Sequence, residues 1–151
     1  MDTGLVLPDM ARLVIARAEV TAPGYKVSGY APDDYTRLLA QTASDGVLTV
    51  WNGASDATIY GSAQANWAFR AWHDTWHIRL AADFTIEGER KVALAQASEC
   101  DTAEQAALIM ADVLGQAEYF EYHKAFPADQ VGFVLEYVRD KESAVRNSEF
   151  L

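Results

Sequence analysis

Cysteine is nearly absent from this 151-residue sequence, which contains only Cys100. A single cysteine cannot form an intramolecular disulfide, so a small disulfide-stapled scaffold is excluded and a reducing compartment is compatible. No apolar run approaches the roughly 20 residues that a membrane-spanning helix needs. The first residues lack the basic segment of a secretory signal peptide. We therefore expect a soluble, cytoplasmic protein with no membrane partner.

Basic residues are also scarce, with 12 lysines and arginines against 22 aspartates and glutamates and a formal net charge of −10. An acidic surface disfavours nucleic acid and anionic membranes as direct partners. An acidic surface is compatible with simple solubility, with cation binding or with mimicry of a polyanion. Phosphate-binding glycine motifs and the G-x-S-x-G nucleophile motif are missing from the sequence. The expected partners are a small-molecule ligand or another protein, and the oligomeric state is left open.

Helix signals dominate the sequence. Half of the residues are hydrophobic, and Ser62, Thr85 and Thr102 are good N-cap residues ahead of apolar positions at helical spacing. Thr102 and Gln105 match the capping box. We predict a helix that begins at Thr85 and further helices over about residues 8–18, 32–45, 62–80, 102–124 and 127–140.

The predicted fold class is mainly α, with a bundle of three to four antiparallel helices and a smaller N-terminal helical and hairpin part. Residues 47–51 favour a β-strand, and residues 58–60 are the nearest candidate for its hairpin partner. We expect one domain over residues 1–151, with an N-terminal subregion at about 1–61 and the bundle at about 62–141. The tail after Lys141 is expected to be disordered.

Three of the predicted helices carry polar side chains along the edge of an apolar face. Unpaired burial of such groups costs a few kcal/mol each, so they should meet one another, water or a ligand. These seam residues are Asn66, Arg70, His73 and His77 on the first helix, Glu89 and Gln96 on the second, and Asp112, Gln116, Tyr119 and His123 on the third.

The spacing of His73 and His77 points both imidazoles to one side of a helix. Two imidazoles and the carboxylate of Glu89 can ligate a divalent zinc, iron or manganese ion, with His123 or Asp112 as a fourth ligand. The sequence departs from the zinc motif H-E-x-x-H, because Asp74 follows His73. The Glu-x-x-His pattern of di-iron bundles is also missing.

The predicted roles follow from this ligand set. An open position on a metal supports hydrolysis, so we expect a metal-dependent hydrolase that acts on a small molecule or a nucleotide. The predicted metal ligands are His73, His77, Glu89 and His123. The predicted catalytic residues are Glu89, Asp112 and Tyr119, and the predicted substrate-binding residues are Asn66, Arg70, Gln96 and Gln116.

Three other interpretations remain open. Without a metal, a bond from Glu89 to His73 or His77 would leave a general acid/base pair available for catalysis. A buried hydrogen-bond network would tie the helices together and fix their register without any metal, as in a structural or assembly protein. An acidic binding protein, such as an inhibitor of a host factor, would instead use the net charge of −10. Glu118 and Glu121 are expected to face solvent and to serve such a role.

Three segments of the sequence resemble a small uncharacterised protein family encoded by tailed bacteriophages. The first reads NWAFRAWHD over residues 66–74 and is followed by His77. The second covers residues 84–89 with Gln96, and the third covers residues 115–120 and 126–130. The resemblance spans about residues 47–138. It implies a phage origin and action inside an infected bacterium, and it carries no activity with it.

Overall fold

The computed structural model describes residues 8–151, and the chain is mainly α-helical, which confirms the predicted helical-bundle class. The chain divides into two compact units, one that ends at Phe84 and one that covers Thr85–Leu151. Within residues 8–151, no helix has both the length and the apolar character needed to cross a membrane.

The first unit contains three helices and two short strands among its described residues. In chain order, these elements are α1 (Pro8–Thr21), β1 (Lys26–Ser28), α2 (Tyr35–Asp45), β2 (Thr49–Trp51) and α3 (Ala63–Leu80).

Helices α1 and α3 form the core of the first unit by packing against each other. The buried face of α1 repeats at helical spacing through Met10, Leu13, Val14 and Ala18. Small alanines on α3 alternate with large rings, and this lets the two helices approach closely. The buried apolar residues of α3 are Ala65, Ala68, Phe69, Ala71 and Trp72.

The two strands pair in parallel, so the predicted hairpin is wrong. Val27 of β1 lies opposite Val50 of β2, and α2 forms the crossover between the strands. Parallel strands need such a crossover, whereas a hairpin joins antiparallel strands. Residues 58–60 form a bend and a turn instead of a strand, and the side chains of Ile59 and Tyr60 are buried there.

The second unit contains only helical elements. They are α4 (Ile86–Ser98), α5 (Ala103–Met110), a π-helical segment (Ala111–Gly115), α6 (Gln116–His123), α7 (Gln130–Arg139), α8 (Lys141–Arg146) and a 3₁₀ turn (Ser148–Phe150).

Helix capping follows the sequence prediction in this unit. The Thr85 hydroxyl accepts the Gly88 N–H at 3.2 Å, and Thr102 and Gln105 form the complete capping box. The predicted helix over 102–124 is continuous but widens into a π-helix at Ala111–Gly115. Gly115 of this segment packs closely against α7. A Cβ at this position would lie only 3.0 Å from the Tyr137 ring.

The segment after Lys141 is helical, which corrects the expectation of a disordered tail. Asp140 caps α8 by accepting the Ser143 N–H at 3.2 Å, and Ala144 is fully buried. Helix α8 packs against α6 and α7. Burial and capping together outweigh the weak helical pattern of this short sequence.

Gly46 ends α2 in the left-handed conformation, with φ 77° and ψ −4°. We expect Gly46→Ala to lower the free energy of unfolding by about 1 kcal/mol, because a Cβ is strained at this φ. No atom lies within 4 Å of the added Cβ, so the cost is conformational. Urea unfolding followed by circular dichroism measures it.

Gly29→Ala is the matched control, since Gly29 also has open space around its Cα and has no positive φ. Its free energy of unfolding should stay equal or rise by up to about 1 kcal/mol. Equal stability of the two variants would contradict the proposed strain at residue 46.

Candidate functional site

His77 occupies the last turn of α3 and is fully buried. Helix α3 ends at Leu80, and its C-cap residue Ala81 adopts the left-handed conformation with φ 50° and ψ 42°. This turn brings the Ala82 carbonyl back to the imidazole, and the His77 Nδ1 to Ala82 O distance is 2.7 Å. A carbonyl oxygen only accepts, so the proton of this hydrogen bond is on Nδ1.

The Nε2 atom of His77 lies 3.0 Å from the Nε2 atom of His73, one helical turn earlier. In a neutral His77 ring with the proton on Nδ1, Nε2 carries a lone pair. The two nitrogens therefore either share an N–H···N hydrogen bond donated by His73 or face a common cation. The predicted pairing of the two imidazoles is thus a feature of the structure.

The separation of the two nitrogens also fits shared metal ligation. Two nitrogens that bind one ion at about 2.0–2.1 Å lie roughly 2.8–3.4 Å apart for an angle of about 90–110° at the metal. Metal-binding histidines usually donate their other ring N–H to a carboxylate or a backbone carbonyl. His77 makes that donation to Ala82.

Aromatic rings hold the two imidazoles in place within the first unit. The Phe69 ring stacks on His73 with centroids 5.5 Å apart, and Phe84 meets His77 edge-to-face at 4.7 Å. Tyr60 in turn stacks on Phe69 with centroids 4.7 Å apart. These rings limit the rotation of the imidazoles and exclude water from the sides that they cover.

Asn66 and Arg70, the predicted substrate-binding residues of α3, bind the loop after β2. Asn66 donates to the Ser55 hydroxyl at 2.9 Å. Arg70 donates to the carbonyls of Trp51 at 2.5 Å and Gly53 at 2.7 Å. The polar seam of α3 is therefore divided into a loop-binding half and an imidazole half. A role for Asn66 and Arg70 in substrate binding stays a prediction.

Glu89 and Gln96 belong to α4 in the second unit. Glu89 is half-buried in the first turn of α4, where the helix dipole favours a carboxylate. Gln96 is fully buried two turns later on the same helix. Their predicted roles in metal and substrate binding stay predictions.

Asp112 and Gln116 form a pair on the π-helical segment and the start of α6. The Gln116 amide donates to the Asp112 carboxylate at 2.6 Å and lies 3.5 Å from the Gln130 side-chain oxygen on α7. Asp112 is only 8% exposed. π-Helical segments recur at functional sites, so this buried carboxylate remains a candidate catalytic group.

Tyr119 and His123 hold the C-terminal helix against α6. The Tyr119 hydroxyl donates to the Asn147 carbonyl at 3.0 Å, and His123 Nε2 lies 2.8 Å from the Val145 carbonyl. Burial raises the pKa of Tyr119, so its hydroxyl is neutral at physiological pH. Both groups thus have a structural task in the second unit, and the predicted catalytic and metal-binding roles stay untested.

Tyr137, Glu118 and Lys141 form a polar cluster that no sequence pattern predicts. The Tyr137 hydroxyl donates to Glu118 at 2.5 Å, and Lys141 lies 3.2 Å from the other Glu118 oxygen. The Glu118 side chain is only 18% exposed, so its predicted solvent-facing position is wrong. Burial raises the pKa of Tyr137 strongly, and the bond to Glu118 raises it further.

The ionisation of Tyr137 makes the stability of the chain depend on pH in the alkaline range. Its pKa in the folded state lies above the ordinary value of 10.0, so its contribution is present below about pH 10 and is lost as the pH rises further. We expect Tyr137→Phe to cost about 1 kcal/mol at pH 8 through the lost hydrogen bond. The variant should also weaken the pH dependence between about pH 9 and 11. Urea unfolding at each pH measures both.

Tyr122→Phe is the control, because Tyr122 lies on α6 and is 59% exposed. That variant should keep the alkaline loss of the parent chain. An unchanged pH dependence in Tyr137→Phe would show that this tyrosine is not the group responsible.

The seam residues therefore fall into an imidazole pair on α3, loop-binding side chains on α3, and a buried polar network in the second unit. Comparisons of the chain with models of protein families, with curated proteins and with solved structures found no match. The chemistry of the candidate site rests on its own residues.

Proposed function

We propose that the chain is a phage-encoded, metal-dependent hydrolase that acts on a small molecule or a nucleotide in the cytoplasm of an infected bacterium. The observation that carries the proposal is the buried His77 ring, with Nδ1 bound to the Ala82 carbonyl and Nε2 directed at His73. The Nε2 atoms of His73 and His77 lie at a separation that suits ligation of one divalent ion.

The proposed ligand set is His73, His77 and Glu89, which offers two imidazole nitrogens and one carboxylate oxygen. Glu89 follows α3 after only a short connection over residues 81–85 and the first turn of α4. Three protein ligands suit zinc, iron or manganese and leave a coordination position open. A metal with an open position lowers the pKa of a bound water and so supplies a nucleophile at neutral pH.

The chain's own residues narrow the choice of proton acceptor. The Tyr119 hydroxyl is bound to a backbone carbonyl and has a raised pKa, so it cannot accept a proton at neutral pH. The predicted catalytic residues that remain are the two carboxylates, Glu89 and Asp112. If Glu89 is a ligand, Asp112 is the candidate base.

The ligand proposal predicts that the double variant His73→Ala/His77→Ala loses metal binding. After reloading with zinc, iron or manganese and removal of free ions, the parent chain should retain about one equivalent of metal and the variant under about a tenth. Elemental analysis by mass spectrometry gives the ratio.

Arg79→Ala is the matched control for the double variant, because Arg79 is an exposed residue on the last turn of α3. It should bind as much metal as the parent chain. A parent chain that holds under about a tenth of an equivalent after reloading would sink the hydrolase proposal. If the double variant is then only less stable, the imidazole pair is a structural contact.

The third ligand is tested by Glu89→Gln, which keeps the shape of the side chain and removes its charge. We expect the dissociation constant for zinc to rise by at least about tenfold, because one anionic ligand is lost. Glu87→Gln is the control, since Glu87 is an exposed acid in the same turn. Competition with a chromogenic chelator measures both constants, and equal values would exclude Glu89 as a ligand.

An acidic binding protein is the second candidate function. Residues 85–151 contain 13 acidic and 6 basic residues, so most of the net charge of −10 is in the second unit. Such a surface attracts basic proteins in a salt-dependent way. Glu121 is exposed and suits this role, whereas Glu118 is engaged by Tyr137 and Lys141.

Charge reversal tests the second candidate with a lysine-rich peptide as the probe. Glu121→Lys combined with Glu142→Lys, both at exposed acids of the second unit, should weaken peptide binding at low salt, and His73→Ala should leave it unchanged. Fluorescence anisotropy of the labelled peptide gives the affinities. Binding that survives the double reversal would rule out this surface as the docking site.

A further inference from the structure

A shallow groove on the first unit is lined by two aromatic side chains that are exposed. Its volume is about 1030 Å³. Trp51 at the end of β2 is 49% exposed, and Tyr30 in the loop after β1 is 94% exposed. We call it the aromatic groove, and its remaining lining residues are Gly29, Ala31, Pro32, Asp33, Arg37, Ala40 and Gln41.

The loop that presents Trp51 is held by three side chains of α3. Arg70 binds the carbonyls of Trp51 and Gly53, and the Trp67 indole donates to the Asn52 carbonyl at 3.2 Å. Asn66 donates to Ser55 at 2.9 Å. Backbone carbonyls that bind such donors cannot move freely, so the loop is a rigid platform.

The indole ring itself is also fixed on this platform. It lies flat against Gly53, where any Cβ would overlap the ring. The Arg70 guanidinium lies 5.4 Å from the ring centroid, within the range of a cation–π contact. A large aromatic ring is therefore held rigidly at the surface while half of it remains exposed. Rigid, half-exposed aromatic side chains are typical anchors of binding sites.

Both aromatic side chains also offer hydrogen-bond donors to a ligand. Among residues 8–151, no group accepts a hydrogen bond from the Trp51 indole N–H or from the Tyr30 hydroxyl. The groove thus combines two exposed aromatic side chains, two donors and the apolar side chains of Ala31, Pro32 and Ala40.

Charge at the rim restricts the occupant further. Arg37 is the one cation among the described lining residues, and it lies 3.4 Å from the carboxylates of both Asp33 and Asp34. The Gln41 amide binds a third carboxylate, that of Asp45, at 2.8 Å. Counted with the Arg70 guanidinium beside Trp51, three carboxylates at the groove and its edge face two guanidiniums, and this net negative charge favours a cationic partner.

We propose that the aromatic groove binds an extended, proline-rich peptide segment of a partner protein that also carries arginine or lysine. Proline rings pack on aromatic faces, and the carbonyls of a polyproline II helix have no internal partners and accept from side-chain donors. A preformed polyproline helix also loses little entropy on binding a shallow groove. This inference is independent of the proposed metal site.

A titration of the full-length ¹⁵N-labelled chain tests the proposal. The probe is a ten-residue peptide with four prolines and two arginines, and the readout is the Trp51 indole N–H signal. The signal should shift with a dissociation constant below about 1 mM. Matched peptides with all prolines replaced by alanine, or both arginines by glutamate, should each bind at least about tenfold more weakly.

Tyr30→Ala should weaken the proline-rich peptide by about tenfold without affecting the fold, because Tyr30 is 94% exposed. Tyr122→Ala, at an exposed aromatic residue of the second unit, should bind like the parent chain. Three results would each overturn the proposal: no shift at Trp51 up to about 1 mM peptide, equal binding of the alanine peptide, or a shift caused by adenosine but not by any peptide.

Discussion

The hydrogen bond from the His77 ring to the Ala82 carbonyl is the interaction on which the candidate site depends. It needs Ala81, the C-cap residue of α3, to adopt the left-handed conformation, since that turn returns the next carbonyl to the helix. The bond places a proton on Nδ1, so that Nε2 carries the lone pair in the neutral ring. Without this bond, the 3.0 Å approach to His73 would have no defined donor or acceptor.

Local signals in the sequence are enough to predict the helices and the histidine pair. Ser62, Thr85 and Thr102 each accept a backbone N–H as expected of N-cap residues. The meeting of His73 and His77 follows from their spacing on one helix, because residues four apart lie on the same side. These features depend on a few neighbouring residues only.

Features that depend on distant residues escaped prediction. Parallel pairing of β1 with β2 is set by the α2 crossover, and the nearest apolar segment, residues 58–60, is not the partner. Tyr137 reaches Glu118 from 19 positions away, so a helical wheel of α6 alone could not show that Glu118 is engaged. A helical wheel of α3 could not predict the bond from His77 to the Ala82 carbonyl either, because Ala82 lies beyond the end of α3.

The predicted seam residues make several different kinds of contact. Asn66 and Arg70 hold the loop that carries Trp51. Tyr119 and His123 hold the C-terminal helix. Buried polar groups must find partners because unpaired burial is costly, and most of the seam residues meet that need with backbone carbonyls or neighbouring side chains. The imidazole pair differs, since the two Nε2 atoms face each other at 3.0 Å.

Histidine-selective ¹⁵N NMR of the metal-free chain tests this difference most directly, because ring nitrogen shifts report which atom carries the proton. The account predicts that His77 has its proton on Nδ1, and that the Nε2 signals of His73 and His77 both move when about one equivalent of zinc is added. A proton on His77 Nε2, or Nε2 chemical shifts that stay unchanged when zinc is added, would contradict the metal-binding role of the pair.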